Sequence, residues 1–155
     1  MSNLKKNRFH LIFDNNLYNL SDDILSVNYP GLSISTVASY HKGQASKQAG
    51  DNVTYDSLSI TIRVDEKMEN YDKFYEWIVS MVHGNTGHKK HKGINASLVL
   101  YDLNEKIFKK VKFVNIFPTQ VGAIEFRTNT DDNEWQEADI TFEYDYYENE
   151  YMYGG

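Results

Sequence analysis

Strict alternation between apolar and polar residues constrains the fold of this chain more than any other feature. In segment 57–64 the apolar residues are Leu58, Ile60, Ile62 and Val64, and the residues between them are Ser57, Ser59, Thr61 and Arg63. A second segment, 135–147, carries Ala138, Ile140, Phe142, Tyr144 and Tyr146 on one side and Asp139, Thr141, Glu143 and Asp145 on the other. Because successive side chains of a β-strand point to opposite faces, both segments predict strands with one buried and one polar face.

Five shorter segments are rich in β-branched and aromatic residues and predict further strands. They are 9–13, 24–29, 97–101, 107–117 and 123–128. Asp14, Asn15 and Asn16 predict a turn, and hence a hairpin, after the first of them. Pro118 is expected to end the strand before it, because proline has no backbone N–H to donate.

One segment has the periodicity of a helix. The residues Tyr71, Phe74, Tyr75, Ile78 and Val82 fall on one stripe at helical spacing. We predict a helix over about 66–83, with Asp65 as its N-cap and this stripe packed on the core. The predicted fold is therefore mainly β: an antiparallel β-sandwich or barrel of about six to eight strands, flanked by one α-helix.

Length and composition restrict what the chain can do. A chain of 155 residues fits one domain, 1–155, without room for a second. Its 16 Lys and Arg against 22 Asp and Glu give a net charge of −6, the opposite of what gripping nucleic-acid phosphates requires. There is no cysteine, and no apolar run approaches the roughly 18 residues of a membrane span, so we expect neither disulfides nor a membrane anchor.

Two segments stand apart from the strands in composition. Segment 39–52 is polar, contains two glycines and cannot bury an apolar face, so it predicts an exposed loop or projecting hairpin. It is longer than the usual connection of about 4 to 6 residues, and such loops are usually functional or disordered. The tail, 147–155, is rich in Tyr and Glu and is predicted to be loose.

No motif indicates a catalytic centre or a cofactor. A glycine-rich phosphate loop, a Gly-x-Ser-x-Gly elbow and a His-Glu-x-x-His helix are all absent from the sequence. The carboxylate pairs Asp22–Asp23 and Asp131–Asp132 are explained by turn chemistry. Trp77 and Trp135 are interpreted as core or interface anchors. We predict that the chain is not an enzyme.

Three histidines raise the alternative of a metal site. His83, His88 and His91 could together hold zinc with a water, since imidazole is a common zinc ligand. Lys89, Lys90 and Lys92 surround two of them, and their charges oppose a dication. We therefore favour a solvated basic loop that contacts an acidic neighbouring subunit.

The ordered set of these segments resembles the phage tail tube family. A strand ending in Tyr29-Pro30-Gly31-Leu32, a polar loop, a strand closing on Asp65-Glu66 and a helix with Phe74 and Trp77 follow that family's order. Segments 117–122 (FPTQVG), 124–126 (IEF) and 138–146 (ADITFEYDY) are similar to its closing part. The resemblance spans about residues 8–148, and the 84–92 loop and the tyrosine-rich tail depart from it.

The resemblance implies a structural protein of a virion, assembled in the host cytoplasm. Six copies would close into a ring, and rings would stack into a tube through which genome DNA passes without specific binding. Sheath, baseplate and terminator proteins would be its other partners. Contacts between rings would involve the 39–52 segment, with the candidate residues Tyr40, Lys42, Gly43, Gln44, Lys47, Gln48, Gly50 and Asp51.

A channel for DNA would benefit from an acidic wall, because a lumen without phosphate contacts does not hold DNA. The candidate lumen face consists of Ser57, Ser59, Thr61, Asp139, Thr141, Glu143 and Asp145. A competing interpretation is that these residues form an ordinary solvent face.

For the whole chain, three hypotheses compete with the tail tube: a baseplate or terminating protein of the same fold, the inner tube of a bacterial injection system, and a monomeric β-barrel binding module.

Overall fold

Nine strands and one helix make up the described part of the chain. The computed structural model describes residues 8–14, 23–41, 43–83, 93–128 and 134–152. The elements are β1 (Phe9–Phe13), β2 (Ile24–Asn28), β3 (Leu32–His41), β4 (Gln44–Tyr55), β5 (Leu58–Arg63), α1 (Glu69–His83), β6 (Ile94–Tyr101), β7 (Ile107–Val121), β8 (Glu137–Glu143) and β9 (Tyr146–Met152).

Seven of these strands form one antiparallel sheet that folds into two layers. In the first layer β1 pairs with β6, β6 with the first part of β7, and that part of β7 with β9. In the second layer the end of β7 pairs with β8, β8 with β5, and β5 with β2. Over the described residues the sheet is open and not a closed barrel. The predicted mainly β class with one helix is thus confirmed, as a sandwich.

Strand β7 joins the two layers and bends between them. At the bend Asn115 has a positive φ of 58°, and its N–H donates to Oδ1 of Asn95 at 3.2 Å. Gly93 lies so close that a Cβ there would stand 2.8 Å from the carbonyl oxygen of Asn115. A side chain at position 93 would therefore separate the start of β6 from β7 at the bend. Pro118 lies inside β7 beyond this bend, so the expectation that it ends the strand is wrong.

The core lies between the layers and under the helix. The buried alternating residues of β5 and β8 are Leu58, Ile60, Ile62, Ala138, Ile140 and Phe142. Phe13 of the first layer has its ring centroid 5.7 Å from that of Phe142 in the second, and 5.8 Å from that of Trp77 on α1. Such close aromatic contacts between elements hold both layers and the helix together.

Helix α1 begins later than predicted. Asp65 does cap it, because its two carboxylate oxygens accept the N–H groups of Glu69 and Asn70 at 2.7 and 3.2 Å. Residues 66–67 form a turn, however, and Met68 has a positive φ of 60°, so the helix begins at Glu69. The buried side chain of Asn70 donates to the carbonyl oxygen of Arg63 at 2.7 Å and fastens the helix to the end of β5.

The predicted helix stripe is partly wrong. Phe74 is buried and Tyr71 packs against the core, and Ile78 is half-buried. Tyr75 and Val82 are instead 59% and 68% exposed. Trp77 lies in the core instead. Positions 74 and 77 are on the side of the helix that faces Phe13 and Phe142. The helix that the described residues contain is not long and apolar enough to cross a membrane.

Three strand predictions are also corrected. Segment 123–128, which the structure describes in full, contains no strand. Segment 135–147 is not one long strand, because β8 ends at Glu143 and β9 begins at Tyr146, each pairing with a different part of β7. Strands β1 and β2 belong to different layers and do not form a hairpin.

Candidate functional site

The β3–β4 hairpin lies apart from the sandwich. Within the described residues its strands pair only with each other, from Leu32 opposite Tyr55 at the base to His41 opposite Gln44 at the tip. The proposed contact residues Tyr40, Gly43, Gln44, Lys47, Gln48, Gly50 and Asp51 all lie in it, whereas Lys42 lies outside the described residues. Segment 39–52 is therefore the outer part of a longer hairpin, 32–55, and its structure is regular.

Large apolar side chains of this hairpin are exposed to solvent. Their exposed fractions run from 46% to 78%, and they are Leu32, Ile34, Val37, Tyr40 and Val53. An isolated two-stranded hairpin is at best marginally stable in water. An exposed apolar surface on such an element is typical of an interaction site. The sequence analysis missed Ile34 and Val53 as surface residues, because apolar alternation alone does not show which faces are covered.

Two tyrosine hydroxyls fasten the base of the hairpin. The Tyr144 hydroxyl donates to the carbonyl oxygen of Asp56 at 2.7 Å, and the Tyr147 hydroxyl donates to that of Pro30 at 3.0 Å. The two sides of the base are joined by the Asp56 N–H, which donates to the Gly31 carbonyl at 3.0 Å. Both chain segments that lead into the hairpin are thus tied to the chain that connects β8 to β9 and to the start of β9.

The same tyrosines belong to an aromatic cluster under the hairpin. The ring centroid of Tyr147 lies 5.1 Å from that of Tyr55 and 5.7 Å from that of Tyr29, and that of Tyr144 lies 5.1 Å from that of Phe113. Burial raises the pKa of both Tyr144 and Tyr147, with smaller contributions from neighbouring acidic groups. Their hydroxyls therefore stay protonated, and able to donate, at neutral pH.

A register shift bends the hairpin at its middle. Ile34 pairs with Val53 but Thr36 pairs with Ala49, so three residues of β4 lie opposite one residue of β3. Gly50 is at this bend, and a Cβ on it would stand 2.7 Å from the carbonyl oxygen of Ser35 and would also overlap the Ser35 hydroxyl. Only glycine allows the two backbones to approach this closely.

The outer surface of the second layer is mainly polar, although Phe117 of β7 lies opposite Glu143 on the same side. Six of the residues proposed for the lumen come together there; Ser59 lies opposite Thr141, and Thr61 lies opposite Asp139. The Thr61 hydroxyl donates to Oδ1 of Asp139 at 2.8 Å, and the Ser57 hydroxyl donates to Oε1 of Glu143 at 2.6 Å. We call Ser57, Ser59, Thr61, Asp139, Thr141 and Glu143 the polar face.

The structure adds three residues to the polar face and shows that Asp145 is not part of β8. Ser26 and Asn28 of β2 lie opposite Thr61 and Ser59, and Gln120 of β7 lies opposite Thr141. The sequence analysis missed them because strand neighbours are set by long-range pairing. Asp145 follows the end of β8, and its Oδ1 accepts from Nδ2 of Asn115 at 3.3 Å at the bend of β7. It therefore does not continue the alternation of β8.

The structure describes only one of the three histidines that were proposed as a metal site. His83 is exposed in the last turn of α1. His88, His91 and the surrounding lysines lie outside the described residues. Among residues that are described, no group of three or more His, Cys, Asp or Glu side chains is placed to hold a metal ion.

The family of the chain follows from a match over most of its length. The family model described as phage tail tube protein matches residues 13–150. The chain belongs to this family. Tail tube proteins are structural components and not enzymes, so the family agrees with the prediction that the chain has no catalytic role. No curated protein matches the sequence significantly.

Several solved structures have the same fold as this chain. The baseplate of the anti-feeding prophage, 6-fold symmetrised, contains a chain 12% identical, with 97% of each chain covered and a TM-score of 0.74. A chain in the sheath/tube terminator of an extracellular contractile injection system is 16% identical, with 97% of this chain and 98% of that one covered and a TM-score of 0.70. Hcp1 from Salmonella typhimurium is 15% identical, with coverages of 93% and 85% and a TM-score of 0.54. At these identities the likeness establishes the fold.

Proposed function

We propose that this chain is the tube subunit of a contractile tail, in which copies form hexameric rings that stack into a hollow cylinder for DNA passage. The observation that carries the proposal is the β3–β4 hairpin, which exposes apolar side chains and has no partner of its own among the described residues. Copies of the same chain supply that partner when rings stack. Assembly in the host cytoplasm, the place in the virion and contacts with sheath, baseplate and terminator proteins belong to the same proposal.

Open sheet edges support ring formation. Strands β1 and β9 are edges of the first layer and β2 is an edge of the second. Unpaired edges invite pairing with another chain, and a closed ring satisfies all of them at once. A head-to-tail contact with rotational closure gives a ring, and repetition along the axis gives a tube.

The polar face is the proposed wall of the channel. It carries Asp139 and Glu143 and, over the six residues that define it, no cation. A passing polyanion gains no phosphate contact on such a surface, so it is not retained. The hydroxyl donors to both carboxylates keep these side chains close to the sheet and away from the axis.

Assembly of the purified protein tests the main proposal. Light scattering and negative-stain electron microscopy should show rings or hollow tubes. Deleting residues 43–50 should leave the circular dichroism of the folded sandwich and remove long tubes. A strictly monomeric protein would refute the proposal and favour a monomeric binding module.

The channel wall is tested by charge reversal. Tubes with Asp139→Lys and Glu143→Lys should retain DNA in a low-salt sedimentation assay, whereas tubes with Glu76→Lys, on the exposed side of α1, should not. A tube reconstruction with the polar face toward the sheath would reject the assignment.

A second candidate is a position at one end of the tube. The similar structures with TM-scores of 0.74 and 0.70 come from a baseplate and from a tube terminator. A protein that starts or ends the cylinder would form rings but no long polymer. The length distribution of the purified assemblies separates the two functions.

A further inference from the structure

A second exposed aromatic surface lies far from the hairpin in the fold. Phe126 and Trp135 are 75% and 60% exposed, in segments on either side of the undescribed residues 129–133. Two adjoining shallow cavities of about 470 and 370 Å³ include both side chains in their lining. We call Ile124, Phe126 and Trp135 the aromatic patch. Paired exposed aromatic side chains of this size are typical of interface anchors.

Polar contacts hold this patch in one arrangement. The Arg63 guanidinium lies 4.8 Å from the ring centroid of Trp135, and the Trp135 Nε1 donates to Oε1 of Glu137 at 3.2 Å. The Gln136 side-chain amide donates to the carbonyl oxygen of Glu125. These contacts position the Trp135 ring and join the two segments of the patch, which lowers the entropic cost of binding.

The patch and the hairpin lie at opposite ends of the second layer. Strand β5 starts next to the hairpin base at Asp56 and ends at Arg63, whose side chain covers Trp135. Six residues of strand span about 20 Å. Stacking in one direction requires two different surfaces at opposite ends of the subunit, and these two surfaces meet that requirement.

The charges of the two surfaces are complementary. The cavities at the patch are lined by Asp65, Glu66, Glu125, Glu134 and Arg127, and Arg63 lies against Trp135, so four carboxylates outnumber two cations. The outer hairpin, residues 37–50, contains Lys42 and Lys47 and no acidic residue. Opposite charges orient the approach of two copies and disfavour patch-to-patch and hairpin-to-hairpin contacts.

We propose that the aromatic patch receives the β3–β4 hairpin of a copy in the adjacent ring. The exposed side chain of Tyr40 packs against Phe126 and Trp135, and Lys47, which lies on the same face of the hairpin because it pairs with Ala38, lies near Glu66 and Glu134. This inference rests on the proposed tube function. It adds the surface on which the hairpin docks and makes the stacking contact asymmetric.

Crosslinking tests the pairing directly, because the chain has no cysteine of its own. The variant Ala45→Cys, Arg127→Cys, which keeps both aromatic anchors, should give a ladder of covalent multimers on denaturing gels after assembly and treatment with a short bis-maleimide. Each single variant should give dimers at most. The matched control Ala45→Cys, Val82→Cys, with its second cysteine exposed on α1, should give no ladder.

The outcomes separate this inference from the function on which it rests. A ladder with position 127 and none with position 82 supports the docking surface. Tubes that form normally but crosslink through position 82, or through neither, overturn the docking surface and leave the tube function intact. Failure of the unmodified protein to form rings or tubes overturns both.

A second test, independent of crosslinking, substitutes the two aromatic residues of the patch and measures tube growth. Phe126→Ser with Trp135→Ser should raise the critical concentration for tube growth at least about tenfold, since buried aromatic anchors dominate interface energetics. Circular dichroism and the ring itself should be unchanged, because both side chains are exposed in the subunit. Tubes growing at the original concentration would contradict the proposal.

Discussion

The sandwich and the β3–β4 hairpin are both antiparallel, and both contain alternating apolar residues, yet they bury them to opposite extents. Leu58, Ile60 and Ile62 of β5 are fully buried, whereas Leu32 and Ile34 of β3 are about half exposed. The difference is the presence of a second layer. The sandwich supplies one from its own chain, and the hairpin has none within the described residues. The sandwich therefore covers its own apolar residues, whereas those of the hairpin remain available for the proposed assembly.

The largest effect that tests this contrast is expected in the sandwich. Phe142→Ala should lower the free energy of unfolding of the dissociated subunit by about 3–5 kcal/mol, because Phe142 is fully buried against the rings of Phe13, Phe74 and Trp77. Urea unfolding measures this. Tyr40→Ala, at the most exposed of the hairpin's large apolar residues, should change it by no more than about 0.5 kcal/mol.

The comparison fails if both variants destabilise the subunit equally. That result would mean that the hairpin packs on the sandwich in solution.

A smaller effect on the subunit, with a large effect on assembly, is expected at the hairpin bend. Gly50→Val places a side chain against the Ser35 backbone and should disrupt the pairing of β3 with β4. Amide hydrogen exchange should accelerate in the hairpin and not in β5 or β8. Tubes should shorten or disappear in electron micrographs.

The neighbouring substitution Ala49→Val is the matched control, since Ala49 is exposed. It adds a similar side chain and should leave hydrogen exchange in the hairpin unchanged. If Gly50→Val also leaves it unchanged, the close approach at Ser35 does not control the hairpin.

Local periodicity accounts for what could be predicted from the sequence. The alternation in 57–64 and 137–143 needs only the period of two, so the buried and polar sides of β5 and β8 were correctly assigned. The same argument failed after Glu143, because the chain there leaves β5 and pairs, as β9, with the part of β7 that precedes the bend at Asn115. That change is a long-range pairing, and no local pattern encodes it.

The exposure of individual apolar side chains also could not be predicted from the sequence. Tyr75 and Val82 have the spacing of a core stripe but lie on the free side of α1. Trp135 and Phe126 look equally suited to a core, yet they form a surface patch. In each case burial depends on whether another layer covers the side chain, and long-range contacts decide that.

The next effect concerns the hydroxyl groups at the hairpin base. Tyr144→Phe and Tyr147→Phe each remove one hydrogen bond to a backbone carbonyl and keep the ring in the aromatic cluster. Each should cost about 1 kcal/mol of stability. The double variant should also increase hydrogen exchange at Asp56 more than in β5.

Tyr75→Phe is the control, because Tyr75 is exposed on α1 and its hydroxyl is remote from the hairpin. Equal exchange at Asp56 in the double variant and the control would show that ring packing alone holds the base.

The smallest effect is expected at alkaline pH, and it depends on the same hydroxyls. Burial raises the pKa of Tyr144 and of Tyr147, while in the unfolded chain tyrosine titrates near pH 10. Below that pH both states hold these protons, so the two groups add no pH dependence. Above it the unfolded chain loses protons that the folded chain keeps, and stability must fall as pH rises.

Unfolding midpoints measured from pH 8 to 11 should therefore fall less steeply above pH 10 in the Tyr144→Phe, Tyr147→Phe variant than in the Tyr75→Phe control. If the two slopes agree, the hydroxyls are not buried in the folded subunit, and the hairpin is attached to the sandwich less firmly than its two hydrogen bonds indicate.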